Sequence, residues 1–125
     1  MNNIHKTQLF RWNEIPREKL NNLLERQIIN GERIMLTHIY LKKGAIVPTH
    51  QHENEQLSYI LKGKLKFWVG QEMDQTYTVR DGEVLHLPSG VFHGAEAIEE
   101  TLSIDIFSPP RQDWLDGSDN YLRGN

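Results

Sequence analysis

The stretch that decides the fold is Gly44-Ala45-Ile46-Val47-Pro48-Thr49-His50-Gln51-His52-Glu53-Asn54-Glu55-Gln56, closed by Gly63. A second stretch answers it: Gly82, then Pro88-Ser89-Gly90-Val91-Phe92-His93. Side chains alternate along a strand, so His50 and His52 are expected on one side of a sheet. His93 follows a Pro-Gly turn, and an antiparallel partner can return it to the same point. Three imidazoles and the amide oxygen of Gln56 make a site for a divalent metal with coordination positions left open. A single His-X-His is ordinarily a polar loop. Here glycines, a proline and three histidines fall at matched spacing across two motifs. Glu53 and Glu55 lie in the same loop and compete with Gln56, but the spacing to Gly63 favours Gln56.

Outward from these motifs, Gly and Pro punctuate the chain and the runs between them are short. Residues 9–12 read as an edge strand and residues 16–22 as a short N-terminal helix, with Pro16 near its first position. Residues 23–29 and 34–41 flank Asn30-Gly31 as a hairpin. Further strands are expected over 56–61, 65–69, 76–79, 84–87, 94–97 and 102–107. Many short strands at regular turn spacing mean an all-β sandwich or barrel. The expectation is a single domain over 1–125 with its core at about 23–108. The segment 109–125 carries Trp114, Leu115, Tyr121 and Leu122, and packs on the barrel or on a partner subunit.

Composition narrows the class. A chain of 125 residues can bury a core without disulfides. Cysteine is absent, which removes thiolate zinc sites and cysteine nucleophiles. The formal charge is -3, from 14 basic and 17 acidic residues, with no basic stripe for nucleic acid. The opening residues lack a signal-peptide pattern and no run reaches membrane-spanning length, so a cytoplasmic protein is expected.

A second group of residues follows the motifs: Asp105-Ile106-Phe107-Ser108-Pro109-Pro110-Arg111. Simple alternation buries Leu102, Ile104 and Ile106 and leaves Asp105 in solvent. The metal reading inverts this. If Gln56 is a ligand, its strand face is the barrel interior, and Leu57, Tyr59 and Leu61 point outward. That apolar face needs a cover, and a homodimer supplies one. By the same inversion Asp105 and Phe107 line the pocket. Asp105 is then a candidate general acid or base, Phe107 an apolar wall, and Arg111 a clamp for a substrate carboxylate or else a surface ion pair. His38, Tyr40 and His86 are weaker candidates for the same pocket. Trp12, Trp68 and Trp114 read as packing residues.

The paired motifs resemble those of the cupin superfamily, which implies a jelly-roll β-barrel holding one metal ion in its mouth. Two positions depart from the family pattern: Gln56 stands where a Glu is usual, and Ala97 where an Asn often closes the second motif. Four uncharged donors leave a divalent ion its full +2 charge, against about +1 with a carboxylate ligand. The span from His50 to Arg111 resembles one subgroup in particular, the KdgF-type cupins of pectin and alginate degradation. These linearise unsaturated uronates, and in them a Gln ligand is expected. The resemblance implies metal ligands His50, His52, Gln56 and His93, a catalytic Asp105, and substrate contacts from Phe107 and Arg111. It implies a divalent ion (Ni, Zn, Mn, Fe or Co) and a small acidic carbohydrate substrate opened without redox chemistry. An Fe-dependent dioxygenase and a non-catalytic sugar- or metal-binding cupin are the alternatives.

Overall fold

The computed structural model describes residues 6–123. Ten strands follow in order: β1 (Glu18–Asn21), β2 (Leu24–Asn30), β3 (Met35–Leu41), β4 (Ile46–His50), β5 (Glu55–Lys62), β6 (Lys64–Val69), β7 (Gln75–Arg80), β8 (Val84–Leu87), β9 (His93–Ala97) and β10 (Thr101–Ser108). A one-turn helix α1 (Gln112–Asp116) and a 3-10 turn (Asn120–Leu122) follow β10. One sheet has the order β1-β2-β3-β10-β5-β8, the other β4-β9-β6-β7, and every pairing is antiparallel. Chain-distant strands lie side by side in both, as in a jelly roll.

The sheets meet over one apolar core. β3 contributes Met35, Ile39 and Leu41, β6 contributes Leu65, Phe67 and Val69, and Ile60 and Phe107 join from β5 and β10. Alternation is clean on β3 and β6 because each has one face on that core. The β5–β6 turn needs Gly63. Its φ is +112°, and a Cβ there would stand 2.5 Å from the Glu100 carbonyl oxygen and from Thr101 Oγ1.

Three expectations are corrected. Residues 16–22 contain β1, not a helix. The segment lacks the apolar stripe a helix buries; Leu20 alone is buried, and pairing with β2 satisfies the backbone. The helical turn in this region is 3-10 and lies earlier, at Trp12–Glu14. Residues 9–12 form no strand, and Leu9 and Phe10 are exposed. The core also runs beyond 23–108, since Leu20, Trp114 and Leu122 belong to it. The C-terminal segment therefore packs on its own barrel.

Ionic contacts fasten that segment. Arg26 on β2 is fully buried and pairs with buried Asp119, Nη1 to Oδ2 at 2.5 Å. Arg26 Nε also donates to Glu18 Oε1 at 2.9 Å, and Arg123 joins Asp119 to Glu18. Asn21 Nδ2 donates to the Leu122 carbonyl at 2.9 Å.

Candidate metal centre

β4 ends at His50, and His93 opens β9 directly across the ladder from it. His52 lies past the end of β4, so the two histidines do not share a strand as the alternation rule expects. They converge nonetheless. One ligand nitrogen from each of His50, His52 and His93 lies within 4.8 Å of the other two. Gln56 reaches the same point from β5, with Oε1 3.1 Å from His52 Nε2.

Backbone carbonyls set the tautomer of each ring. Nδ1 of His50 donates to the Pro48 carbonyl at 2.8 Å, Nδ1 of His52 to Asn54 at 2.9 Å, and Nδ1 of His93 to Val91 at 3.0 Å. Each Nε2 is left as a bare lone pair. Burial, with the neighbouring imidazoles and Arg111 adding to it, pushes His50 down to about 3 and His52 down to about 4. Burial also lowers His93. The rings are thus neutral at pH 7, the form that binds metal.

Two observations show that these donors fit a cation. His93 Nε2 is buried and has no hydrogen-bond partner among the described residues. His52 Nε2 and Gln56 Oε1 face each other at 3.1 Å although the His52 proton is already on Nδ1. Two lone pairs in contact repel unless a positive charge lies between them. Gln56 Nε2 donates to Ser58 Oγ at 2.9 Å, which turns Oε1 toward the histidines. The donor set suits a borderline divalent ion of the Mn-to-Zn series.

A cavity of about 50 Å³, a few waters' worth, adjoins the triad. Its polar lining is His50, Gln56, His93, Asp105, Arg111 and Tyr121 beside Ser103. Asp105 thus takes the interior face, and Ile104 and Ile106 the outer one. Ser103 Oγ donates to Asp105 Oδ1 at 2.7 Å. Burial pushes Asp105 above the ordinary carboxylate range, against the pull of Ser103, Ser58 and Arg111. Such a carboxyl can carry a proton to or from a bound molecule. Phe107 is buried on the same strand, 5.8 Å from the His52 ring edge-on.

Arg111 reaches the cavity, but as a buried group and not as a free clamp. Nε and Nη2 engage Asp113 at 3.0 and 2.8 Å, and Nη2 also donates to Tyr121 Oη at 2.6 Å. The ion pair expected at the surface is thus half-buried, with Arg111 inside and Asp113 partly exposed. Of the weaker candidates, His38 and Tyr40 lie on the outer face of β3, where His38 stacks on Trp12 at 3.6 Å. His86 is exposed and pairs with Glu55 at 2.7 Å. None of these three lines the cavity.

Sequence reasoning missed Tyr121. Its ring packs on His50 with centroids 4.5 Å apart, and burial holds its phenol above the usual range. The aromatic content of the tail was the one available signal.

Residues 37–107 match the family model described as Cupin domain. The fold is similar to the structure of KdgF from Halomonas sp., with TM-score 0.80 and 26% identity over 87% of this chain and 99% of that one. It is similar also to an RmlC-like cupin from Shewanella frigidimarina NCIMB 400, with TM-score 0.79 and 26% identity over 87% and 96%. Among curated proteins, oxalate decarboxylase OxdC of Bacillus subtilis (strain 168) is 27% identical over 77 residues. That alignment spans 60% of this chain and 20% of the relative's length. No described helix is long and apolar enough to cross a membrane.

Proposed function

Because this chain belongs to the cupin family, we propose that it is a metal-dependent enzyme that opens and tautomerises a small unsaturated uronate. The observation that carries this reading is one cavity, beside the three-histidine cluster, where His50, His93, a buried Asp105 raised by that burial and Arg111 meet. The likeness to KdgF over nearly all of that chain supports it. His50, His52, Gln56 and His93 are the proposed ligands. A divalent ion held by these neutral donors supplies Lewis acidity and attraction for an anion. Asp105 moves a proton between the sugar's ring hydroxyl or enol and its carbon, Phe107 walls the ring, and Arg111 holds the carboxylate. No electrons leave the substrate in this scheme.

The cavity as it stands holds a few waters, so this reading requires the segment carrying Trp114 and Tyr121 to move aside before a monosaccharide enters. The test is loss of ring-enol absorbance when metal-loaded protein meets 4,5-unsaturated galacturonate. Asp105→Asn is expected to lower turnover at least about a hundredfold with metal content unchanged. A flat trace across several divalent ions would reject the reading, and oxygen uptake with Fe(II) would replace it with a dioxygenase.

A homodimer belongs to the same proposal. The outer face of the six-stranded sheet aligns Leu36, Ile106 and Leu57 across three strands, with Ile104, Tyr59 and Val84 beside them. Leu57 and Val84 are exposed at 39% and 55%, an apolar surface suited to a second copy.

A further inference from the structure

Tyr121 stands on the 3-10 turn of the C-terminal segment and lines the same cavity as His50, Asp105 and Arg111. Its phenol oxygen accepts from Arg111 Nη2 at 2.6 Å and from Trp114 Nε1 at 3.1 Å. A phenol has two lone pairs and one proton. Both accepting positions are taken, so the proton is what remains to give. Among the described residues nothing accepts it.

Arg111 shows the complementary shortage. A guanidinium has five N–H bonds. Nε and one Nη2 hydrogen are held by Asp113, and the second Nη2 hydrogen by Tyr121. Among the described residues only Nη1 has no partner, and one nitrogen cannot fork across both oxygens of a carboxylate as a free edge does. The guanidinium is also fixed in place, 5.2 Å from the Phe107 ring centroid and 4.8 Å from that of Trp114. A carboxylate arriving at Nη1 therefore meets one donor from Arg111 and needs a second from elsewhere.

We propose that Tyr121 is a ligand-binding residue that donates its phenolic hydrogen bond to an anionic oxygen of a small carboxylate held at Arg111 Nη1. Arg111 and Tyr121 together form a composite clamp, assembled when the C-terminal segment seats on the barrel. This rests on reading the pocket as a site for a small acid, and not on the ring-opening chemistry. It also gives the C-terminal segment a part in selecting acids over neutral sugars.

The test is calorimetric titration of the metal-loaded protein with galacturonate and with galactose, which differ at the carboxylate. Neither is a substrate of the proposed reaction, so binding is read without turnover. Tyr121→Phe keeps the ring on His50 and removes the donor. Galacturonate affinity is expected to fall about tenfold, as for a lost hydrogen bond to a charged group. Galactose affinity is expected not to move. Equal loss for both sugars would show a merely structural role and overturn the proposal, as would unchanged galacturonate affinity. If wild-type protein fails to bind galacturonate, the small-acid reading falls and takes this inference with it. A second measurement stands if the variant does not fold. In wild-type protein labelled with 13Cζ-tyrosine, the Tyr121 resonance is expected to shift with galacturonate and stay fixed with galactose, and equal shifts would refute the clamp.

Discussion

Asp119→Ala removes one half of the buried contact that seats the C-terminal segment. In the folded chain both partners are fully buried, and Arg26 Nη1 lies 2.5 Å from Asp119 Oδ2. Truncating Asp119 leaves a guanidinium inside the barrel with Glu18, 43% exposed, as its remaining carboxylate. The backbone oxygen of Trp114, at 3.5 Å, is too far to compensate. Breaking a buried pair by removing one partner costs about 3–5 kcal/mol, and the surviving Glu18 contact points to the lower end. At ~0.26 kcal/mol/K of unfolding entropy for a chain this long, about 3 kcal/mol lowers Tm by about 12 °C. Thermal and urea unfolding followed by circular dichroism measure it. The same loss is expected to disappear in an Arg26→Met background, because the stranded charge is gone. Hydrogen exchange over residues 111–123 is expected to rise more than exchange in the sheets. A Tm change under about 3 °C, or an equal loss with and without Arg26, would refute the reasoning.

Three further outcomes follow from the site and the sheet. Gln56→Glu places one negative charge among the donors, so metal affinity measured by chelator competition is expected to rise at least about tenfold; unchanged affinity would exclude Gln56 as a ligand. Burial holds the three imidazoles below their ordinary value of 6.5, with His50 at about 3 and His52 at about 4. The folded metal-free protein thus binds fewer protons than the unfolded chain once pH drops below about 6.5. Stability is full above that pH and declines toward pH 4, by up to about 1.4 kcal/mol per pH unit for each imidazole. Asp105, raised on folding, acts in the opposite sense, one carboxyl against three rings. The urea midpoint of the metal-free protein is therefore expected lower at pH 5 than at pH 7.5, and equal midpoints would contradict the burial of the triad. Leu57→Lys with Ile106→Lys puts charge in the middle of the outer face. Sedimentation is expected to give a dimer for wild type and a monomer for the variant, and an unchanged mass would leave that face without its proposed partner.

The histidine cluster and the strand faces were legible in local pattern. His50, His52 and His93 are chemically distinctive and sit at turns whose Gly and Pro are local signals, so spacing alone was informative. Placing Gln56 inward forced Leu57 and Tyr59 outward, because alternation along a strand admits no other arrangement; the structure has Gln56 buried and Leu57 exposed. Features that depend on distant partners emerged only once the chain was folded. β1 is a strand because β2 offers it a ladder, which overrides the weak helix signals of residues 16–22. Arg26 can be buried because a carboxylate 93 positions away meets it. Tyr121 reaches His50, and Arg111 loses its free edge, only because the tail folds back over the barrel. Local patterns carry periodicity and turn chemistry, whereas the neutralisation of a buried charge and the pairing of a phenol are settled where remote segments come together.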